Sequence, residues 1–217
     1  MKKLLILVLI LMMVLAGCGK VTSVADTPTT QPANTTAPTT ARQTETTTEA
    51  QTEQTNPDGL EVIESEIGVM TVYHLNRDFV EVKTSGPFTI TFTGVRIADL
   101  VVAEDSKYLF DDQDRVTVVS VKMDVENTSK DTMTIYADQG TIVTNTKEQI
   151  DADLFISDDL GGDFMGEVIK SGDVHFMLYN SAAGDVTSFK YICGAPMDED
   201  WDDVGEDIIF EYDINNY

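Results

Sequence analysis

The feature that most constrains this chain is a period of two in its apolar residues. Residues 119–126 read VSVKMDVE, with an apolar side chain at each odd position and a polar one at each even position. The same alternation recurs in residues 174–178 (VHFML), 189–193 (FKYIC) and 208–214 (IIFEYDI). Successive side chains of a β-strand point to opposite faces, whereas an amphipathic helix needs a period of 3.6 residues. The pattern therefore predicts strands with one apolar face.

The alternation changes phase at one glycine. Residues 88–93 (FTITFT) have apolar side chains at even positions, but Val95 and Ile97 continue the pattern at odd positions. Gly94 lies at the change. A glycine at such a point indicates a β-bulge, where one extra residue is inserted into a strand.

Turn-rich segments separate the strands. Residues 126–131 (ENTSKD) are predicted to form a turn, after which Thr132–Tyr136 would return as the next strand. Residues 67–73 and 78–83 are weaker strand candidates. We expect about seven to nine short strands and no helix of ten residues, which is typical of an all-β, antiparallel, immunoglobulin-like β-sandwich. The predicted domain covers residues 58–217.

The N-terminus has the layout of a signal peptide. Lys2 and Lys3 precede a twelve-residue apolar run, residues 4–15, which is shorter than the ~20 residues of a membrane-spanning helix. Residues 15–18 (LAGC) resemble the lipobox of bacterial lipoproteins. The resemblance implies that residues 1–17 are removed and that Cys18 carries a diacylglycerol, which would anchor the protein to a membrane.

The next segment, residues 18–57, is rich in Thr, Pro, Gln and Glu and has no aromatic residue. Such a segment cannot bury enough apolar surface to offset the entropy lost on ordering. It is predicted to be a disordered linker that holds the folded domain away from the lipid. Residues 56–59 (NPDG) are turn residues and mark the predicted boundary.

Residues 115–135 (RVTVVSVKMDVENTSKDTMTI) and 168–180 (VIKSGDVHFMLYN) resemble a known family. They are similar to the immunoglobulin-like extracellular domains of Gram-positive lipoproteins related to an immunoprotective secreted antigen. The resemblance covers roughly residues 85–195. It implies the sandwich fold and an extracytoplasmic location, and it implies no catalytic residues.

Charge and cysteine content limit the partners. The formal net charge is −24, and Lys and Arg form no cluster in the sequence. Nucleic acid is therefore not expected as a partner, because binding it requires clustered positive charge. With Cys18 lipidated, Cys193 has no cysteine left to pair with, and its place in a strand pattern predicts a small buried core residue.

One acidic stretch, residues 197–209 (MDEDWDDVGEDII), contains two candidate sites. Asp198, Asp200 and Asp202 have the alternate spacing of a calcium-binding loop, but the sixth and twelfth positions hold Asp203 and Ile209 instead of glycine and glutamate. A solvated acidic loop and a calcium site are the two interpretations. Trp201, the only tryptophan, either closes the end of the sandwich or is an exposed contact for a partner.

No catalytic motif is present. His74 and His175 are the only histidines, and the chain has no G-x-S-x-G motif, P-loop or dinucleotide fingerprint. His175 is predicted on the strand face opposite the apolar residues. Catalysis, a zinc site and any other cofactor are not expected.

These observations favour a lipid-anchored lipoprotein on the extracytoplasmic face of a bacterial cell membrane. Its sandwich would be a non-enzymatic binding module, with another envelope protein as its expected partner. Two alternatives stay open. One is an envelope hydrolase or sugar-processing enzyme that uses loop carboxylates. The other is the solute-binding lipoprotein of an importer, which usually needs two α/β lobes.

Overall fold

The computed structural model describes residues 52–217, which belong to one compact unit, Thr48–Tyr217. The predicted signal peptide 1–17, the predicted lipidation site Cys18 and the linker up to residue 51 lie outside the described residues. Within the described part, no helix has the length and apolar character needed to cross a membrane.

Residues 52–217 form thirteen strands and three short 3₁₀ helices. The strands are β1 (Thr52–Thr55), β2 (Glu61–Ser65), β3 (Gly68–Asn76), β4 (Glu81–Ser85), β5 (Phe88–Val102), β6 (Arg115–Asn127), β7 (Thr132–Tyr136), β8 (Thr141–Thr144), β9 (Gln149–Asp151), β10 (Gly161–Met165), β11 (Ile169–Leu178), β12 (Ser188–Cys193) and β13 (Ile208–Asp213). The 3₁₀ helices are Glu104–Leu109, Ala137–Gln139 and Ala183–Asp185.

All strand pairings are antiparallel, and they build three sheets. The seven-stranded sheet has the order β1-β2-β3-β5-β6-β11, and β4 also pairs with β5. The four-stranded sheet has the order β13-β12-β8-β9, and β10 pairs with β7 in a small third sheet. One apolar core joins residues from all three sheets. The predicted antiparallel β-sandwich is confirmed.

Aromatic side chains fill the centre of the sandwich. Phe92 of β5 stacks on Phe210 of β13 with ring centroids 4.2 Å apart, and both side chains are fully buried. Tyr191 of β12 contacts Phe92 and Phe176 edge to face. Its hydroxyl donates a hydrogen bond to the carbonyl oxygen of Ala137 at 2.6 Å, so the polar end of the buried ring is satisfied.

The predicted bulge at Gly94 is confirmed. The register between β5 and β6 shifts between Phe92 and Gly94. Phe92 before the bulge and Val95 after it both point into the core. The extra residue lets one long strand serve two neighbours, because β4 pairs with its first part and β3 with its second part.

The predicted return of Thr132–Tyr136 beside β6 is wrong. β7 forms at those residues but pairs with β10, because both edges of β6 are already taken by β5 and β11. Asn127, which is fully buried, holds the crossing between sheets. Its Nδ2 donates to the carbonyl oxygens of Asp131 and Phe164 at 2.9 and 3.1 Å, and its Oδ1 accepts from the N–H of Ser129 at 2.9 Å.

One strand lies earlier than the predicted boundary at residue 58. β1 falls within the segment that the sequence assigns to the linker, and it pairs with β2 over four residues. Its sequence, TEQT, has no apolar alternation. Backbone hydrogen bonds to a neighbouring strand do not require one, so the sequence pattern carries no signal for this strand.

Two neighbouring positions of β13 test the alternation. Replacing the fully buried Phe210 by alanine should lower the free energy of unfolding by about 3–5 kcal/mol, because the ring leaves a cavity beside Phe92. The matched control, Ile209→Ala, removes a side chain that is 45% exposed and should cost about 1 kcal/mol or less. Urea unfolding of a soluble protein covering residues 48–217 measures both. Equal losses would contradict the assigned faces of β13.

Candidate functional site

The outer face of the seven-stranded sheet, which points away from the sandwich core, contains a row of three polar residues. In the strand register Arg96 of β5 lies opposite Ser120 of β6, and Ser120 lies opposite His175 of β11. Each is flanked in its own strand by residues that point into the core, such as Val95 and Ile97 beside Arg96. Alternation therefore directs all three side chains to the outer face.

Hydrogen bonds link this row. Nη2 of Arg96 donates to Oγ of Ser120 at 3.2 Å, and Nδ1 of His175 lies 2.9 Å from the same oxygen. Ser120 is only 3% exposed. The hydroxyl group therefore connects the two basic side chains from a buried position.

Burial controls the protonation of the row. It lowers the pKa of His175, and the positive charge of Arg96 lowers it further, while the carboxylates of Asp173, Asp158 and Asp153 act in the opposite direction. Burial also lowers the pKa of Arg96. Nε of Arg96 is buried and has no hydrogen-bond partner among the described residues. The row thus places a partly desolvated cation beside a histidine that favours its neutral form.

A cationic groove opens on one side of Arg96. Its volume is about 390 Å³, and its charged lining consists of Arg77, Arg96 and Lys122 together with the carboxylate of Asp173. None of the three cations forms an ion pair with a carboxylate among the described side chains. The sequence shows no cluster of Lys or Arg, and the expectation that none exists is wrong in three dimensions. Residues distant in the chain meet because β3, β5 and β6 are neighbours.

An apolar trough of about 380 Å³ opens on the other side of Arg96. Leu100, Val118 and Met177, each at most 3% exposed, contribute to it together with the partly buried Met70 and Ile156. Arg96 lines both the trough and the cationic groove. The outer face therefore presents a positively charged region and an apolar region that share one side chain.

Two β-bulges lie in the part of the sheet that carries the polar row. The bulge at Gly94 reverses the phase of β5 so that Arg96 points outward, and β3 has a second register shift between Val72 and His74. Bulges frequently occur beside functional sites, where they redirect a side chain. The resulting outer position of Arg96 is thus a consequence of the glycine that the sequence already marks.

Residues 153–158 cover the free edge of β11. The N–H groups of Asp153 and Asp158 donate to the carbonyl oxygens of His175 and Asp173 at 2.9 and 3.0 Å. In return, the N–H of His175 donates to Oγ of Ser157, and that of Asp173 donates to Oδ2 of Asp158. These bonds satisfy an edge that would otherwise be open to pairing with another chain.

The Ser120–His175 contact has the separation of a nucleophile and its base, but the arrangement differs from a hydrolase triad. Such a triad needs an exposed serine and a carboxylate that orients the histidine. Ser120 is buried, and its oxygen also accepts a hydrogen bond from Arg96. Among the described residues, no carboxylate is hydrogen-bonded to the ring of His175. The geometry is better suited to holding Arg96 in place than to nucleophilic attack.

The acidic loop forms a turn. Oδ1 of Asp198 accepts the N–H groups of Asp200 and Asp202, each at 3.0 Å, and the N–H of Asp198 donates to the carbonyl oxygen of Asp202. Within residues 52–217 no group of three or more His, Cys, Asp or Glu side chains is arranged to hold a metal ion. Calcium binding by Asp198, Asp200 and Asp202 stays a prediction.

Trp201 does not close the end of the sandwich, and that interpretation is wrong. Its side chain is 65% exposed, and its φ of 66° lies in the left-handed region that residues other than glycine rarely adopt. The tight turn from Asp198, in which the N–H of Trp201 donates to the carbonyl oxygen of Asp198, imposes this conformation. A contact between Trp201 and a partner stays a prediction.

The remaining histidine and cysteine are structural. Nε2 of His74 lies 2.7 Å from the hydroxyl oxygen of Tyr212, and burial lowers the pKa of His74. The buried Cys193 is confirmed as a core residue, and burial raises the pKa of its thiol to about 11. His74 is bonded to Tyr212 on the core side of the sheet and His175 to Ser120 on the outer face, so the two histidines do not share a site.

His175 should make stability depend on pH. Because its pKa is lower in the folded chain than its ordinary value of 6.5, the unfolded chain binds more protons just below that pH. The contribution of His175 to the free energy of unfolding is therefore complete above pH 6.5, and it is lost as the pH falls toward the lowered pKa. Between pH 7.0 and pH 5.5, urea unfolding should show a larger decrease in the free energy of unfolding for the wild type than for His175→Gln.

The difference in pH dependence between the wild type and His175→Gln reports on His175 alone. It excludes the buried Asp99 and Asp138, whose raised pKa values make stability fall as the pH rises. The matched control is His74→Gln, which removes the other histidine and should leave the contribution of His175 unchanged. An identical pH dependence of the wild type and His175→Gln would contradict the assignment.

No family model matches this chain, and no curated protein matches it in sequence. A solved structure is similar in fold: a protein of unknown function from Listeria monocytogenes EGD-e, with a TM-score of 0.52 and 13% sequence identity. The similarity covers 68% of this chain and 88% of the Listeria chain. At this identity it supports the fold alone.

Proposed function

We propose that the protein is a lipid-anchored, extracytoplasmic binding module without enzymatic activity, and that the outer face of its seven-stranded sheet holds the ligand. The observation that carries this proposal is the environment of the Arg96 side chain. Its guanidinium group is partly desolvated, lacks an ion pair within the described part of the chain, and lines both the cationic groove and the apolar trough.

The energetic cost of such a side chain supports a binding role. Removing a cation from water is unfavourable unless a counter-charge or hydrogen-bond acceptors replace the solvent. Ser120 supplies one acceptor, and the buried Nε has none among the described residues. A bound anion would compensate the positive charge and accept hydrogen bonds from donors of the guanidinium group other than the buried Nε. Concave sites that combine apolar walls with a few polar groups are typical of ligand binding.

The N-terminal sequence supports the location. A short apolar run followed by LAGC at residues 15–18 resembles a lipoprotein signal, and the Thr-rich segment after it suits a tether. In this proposal the diacylglycerol on Cys18 holds the protein at the membrane, and the linker presents the sandwich to other envelope components. The sequence resemblance to immunoglobulin-like lipoprotein domains is consistent with this location.

The two alternatives find less support. An envelope hydrolase that uses loop carboxylates would need two carboxyl groups beside one cleft, whereas the cationic groove contains Asp173 alone and the apolar trough contains Glu66 alone. The solute-binding protein of an importer would normally enclose its ligand between two lobes, whereas the sites here are open grooves on one sheet. Turnover of an envelope glycan or ester by the purified protein would favour the hydrolase.

The anchor is tested with the full chain. Cys18→Ala should abolish lipidation, so the protein should move from the detergent phase to the aqueous phase or accumulate as an unprocessed precursor, because acyl chains supply the membrane affinity. The matched control is Cys193→Ala, which changes the other cysteine and should leave partitioning unchanged. Unaltered membrane association of a processed Cys18→Ala protein would rule out this anchor.

The binding role is tested by affinity capture from an envelope extract with a soluble protein covering residues 48–217. The wild type should retain at least one component that Arg77→Met/Lys122→Met loses, because two of the three groove cations are then absent. Lys130→Met removes an exposed cation outside both grooves and should bind normally. Trp201→Ala shows whether the exposed ring adds a second contact. Identical captures with the wild type and the double variant would refute this binding face.

A further inference from the structure

We propose that the cationic groove and the apolar trough together bind one amphipathic organic anion. Its carboxylate or phosphate headgroup would contact Arg77, Arg96 and Lys122. Its apolar body would lie against Met70 and Ile156, the partly buried walls of the trough. This inference rests on the proposed function, because it names the ligand class of the same site.

The charge distribution selects an anion. Five cationic side chains elsewhere in the described chain form ion pairs with carboxylates: Lys83, Lys107, Arg115, Lys170 and Lys190. The three groove cations do not, and neither do Lys130 and Lys147, which are exposed and lie outside the groove. The whole chain has a net charge of −24. Cations that stay together without carboxylate partners in such an acidic protein are available for an external negative group.

Arg96 has the geometry for this role. A guanidinium group has five N–H donors in a rigid planar fork, which suits carboxylate and phosphate oxygens. Only the bond from Nη2 to Ser120 is present among the described residues. Because the group is partly buried, a charge-assisted bond to it is screened less than on an open surface. The row through Ser120 and His175 restrains the fork before any ligand arrives.

Carboxylates near Arg96 do not neutralise the groove. Asp173 and Glu61 raise the pKa of Arg96, whereas Arg77 lowers it. Of these two carboxylates only Asp173 lines the groove, where it stands against three cations. A cationic ligand would therefore meet a net repulsion, and an anion meets a net attraction.

Because of the apolar trough, we expect an amphipathic organic anion as the ligand rather than an inorganic anion. Leu100 lies four residues along β5 from Arg96, about 13 Å at the usual rise per residue. Apolar side chains from five strands and from the 153–158 loop line this distance. Glu66 belongs to the β2–β3 turn at the far end, where Gly68, which follows this turn, pairs with Val102. A negative headgroup is thus favoured at the Arg96 end and disfavoured at the Glu66 end.

The test is calorimetric titration of the soluble protein, residues 48–217, with four single-chain amphiphiles below their micelle concentrations. The probes are decanoate, decyl phosphate, decanol and decyltrimethylammonium. At least one of the two anions should bind about tenfold or more tightly than decanol, because a charge-assisted hydrogen bond contributes that much. The comparison of decanoate with decyl phosphate identifies the headgroup.

Variants separate the two halves of the site. Arg96→Met should weaken binding of the preferred anion about tenfold or more. Lys122→Met replaces an exposed side chain, so its effect of about twofold to tenfold can be read even where Arg96→Met perturbs the fold. Lys130→Met is the matched control and should change nothing. From hexanoate to decanoate, affinity should rise about twofold to fourfold per added methylene, because each one enters the trough.

Each outcome is decisive for the ligand class. Anion-selective binding that depends on Arg96 or Lys122 and on chain length supports the proposal. Equal binding of decanol or the cationic amphiphile, or no effect of either groove variant, overturns it. Absence of binding by both anionic probes at millimolar concentration also overturns it. These negative results concern the ligand class and not the binding face. In the capture experiment, a protein or glycan partner would still be retained by the wild type and lost by Arg77→Met/Lys122→Met.

Discussion

Burial of both faces of β5 and β6 is the constraint on which the rest of the structure depends. On the inner face, residues such as Ile97 and Val119 pack in the sandwich core, and on the outer face Leu100 and Val118 pack in a second apolar cluster. A shift of register by one residue would exchange these faces and carry polar side chains such as Arg96 into the sandwich core, so the register is strongly specified. The fixed register then places Arg96 opposite Ser120, and every feature of the candidate site follows from that pairing.

A polar row within this apolar environment costs free energy of folding wherever its polar atoms lack hydrogen-bond partners. Ser120 is buried, and Arg96 is partly desolvated on a surface whose other cations are mostly neutralised by carboxylates. Hydrogen bonds within the row satisfy part of the polar groups, and burial together with the neighbouring cation lowers the pKa of His175. The remaining unsatisfied donor is a local imbalance of the kind that functional sites retain and purely structural regions eliminate. An anionic ligand would compensate the charge of the guanidinium group, which lines both the groove and the trough.

Prediction from sequence succeeded where side-chain alternation within one segment carries the information. The inner positions of β6, β11, β12 and β13, the bulge at Gly94 and the burial of Cys193 all follow from period-two patterns. Prediction failed for β7, because a turn-rich segment does not reveal that both edges of β6 are occupied. The sequence left two interpretations of Trp201 open, since a lone aromatic in an acidic loop carries no periodicity that would indicate its exposure.

The sequence by itself determined that this is an all-strand domain, which side chains face its core, and that Arg96, Ser120, Lys122 and His175 each lie on an outer face. Only the tertiary structure decided that those outer faces belong to one sheet. Arg96 and Ser120 are 24 residues apart in the chain, and Ser120 and His175 are 55 apart. Alternation specifies the side of a strand to which a residue points but not the strand beside it. That second choice comes from packing the whole core, and it assembles the site.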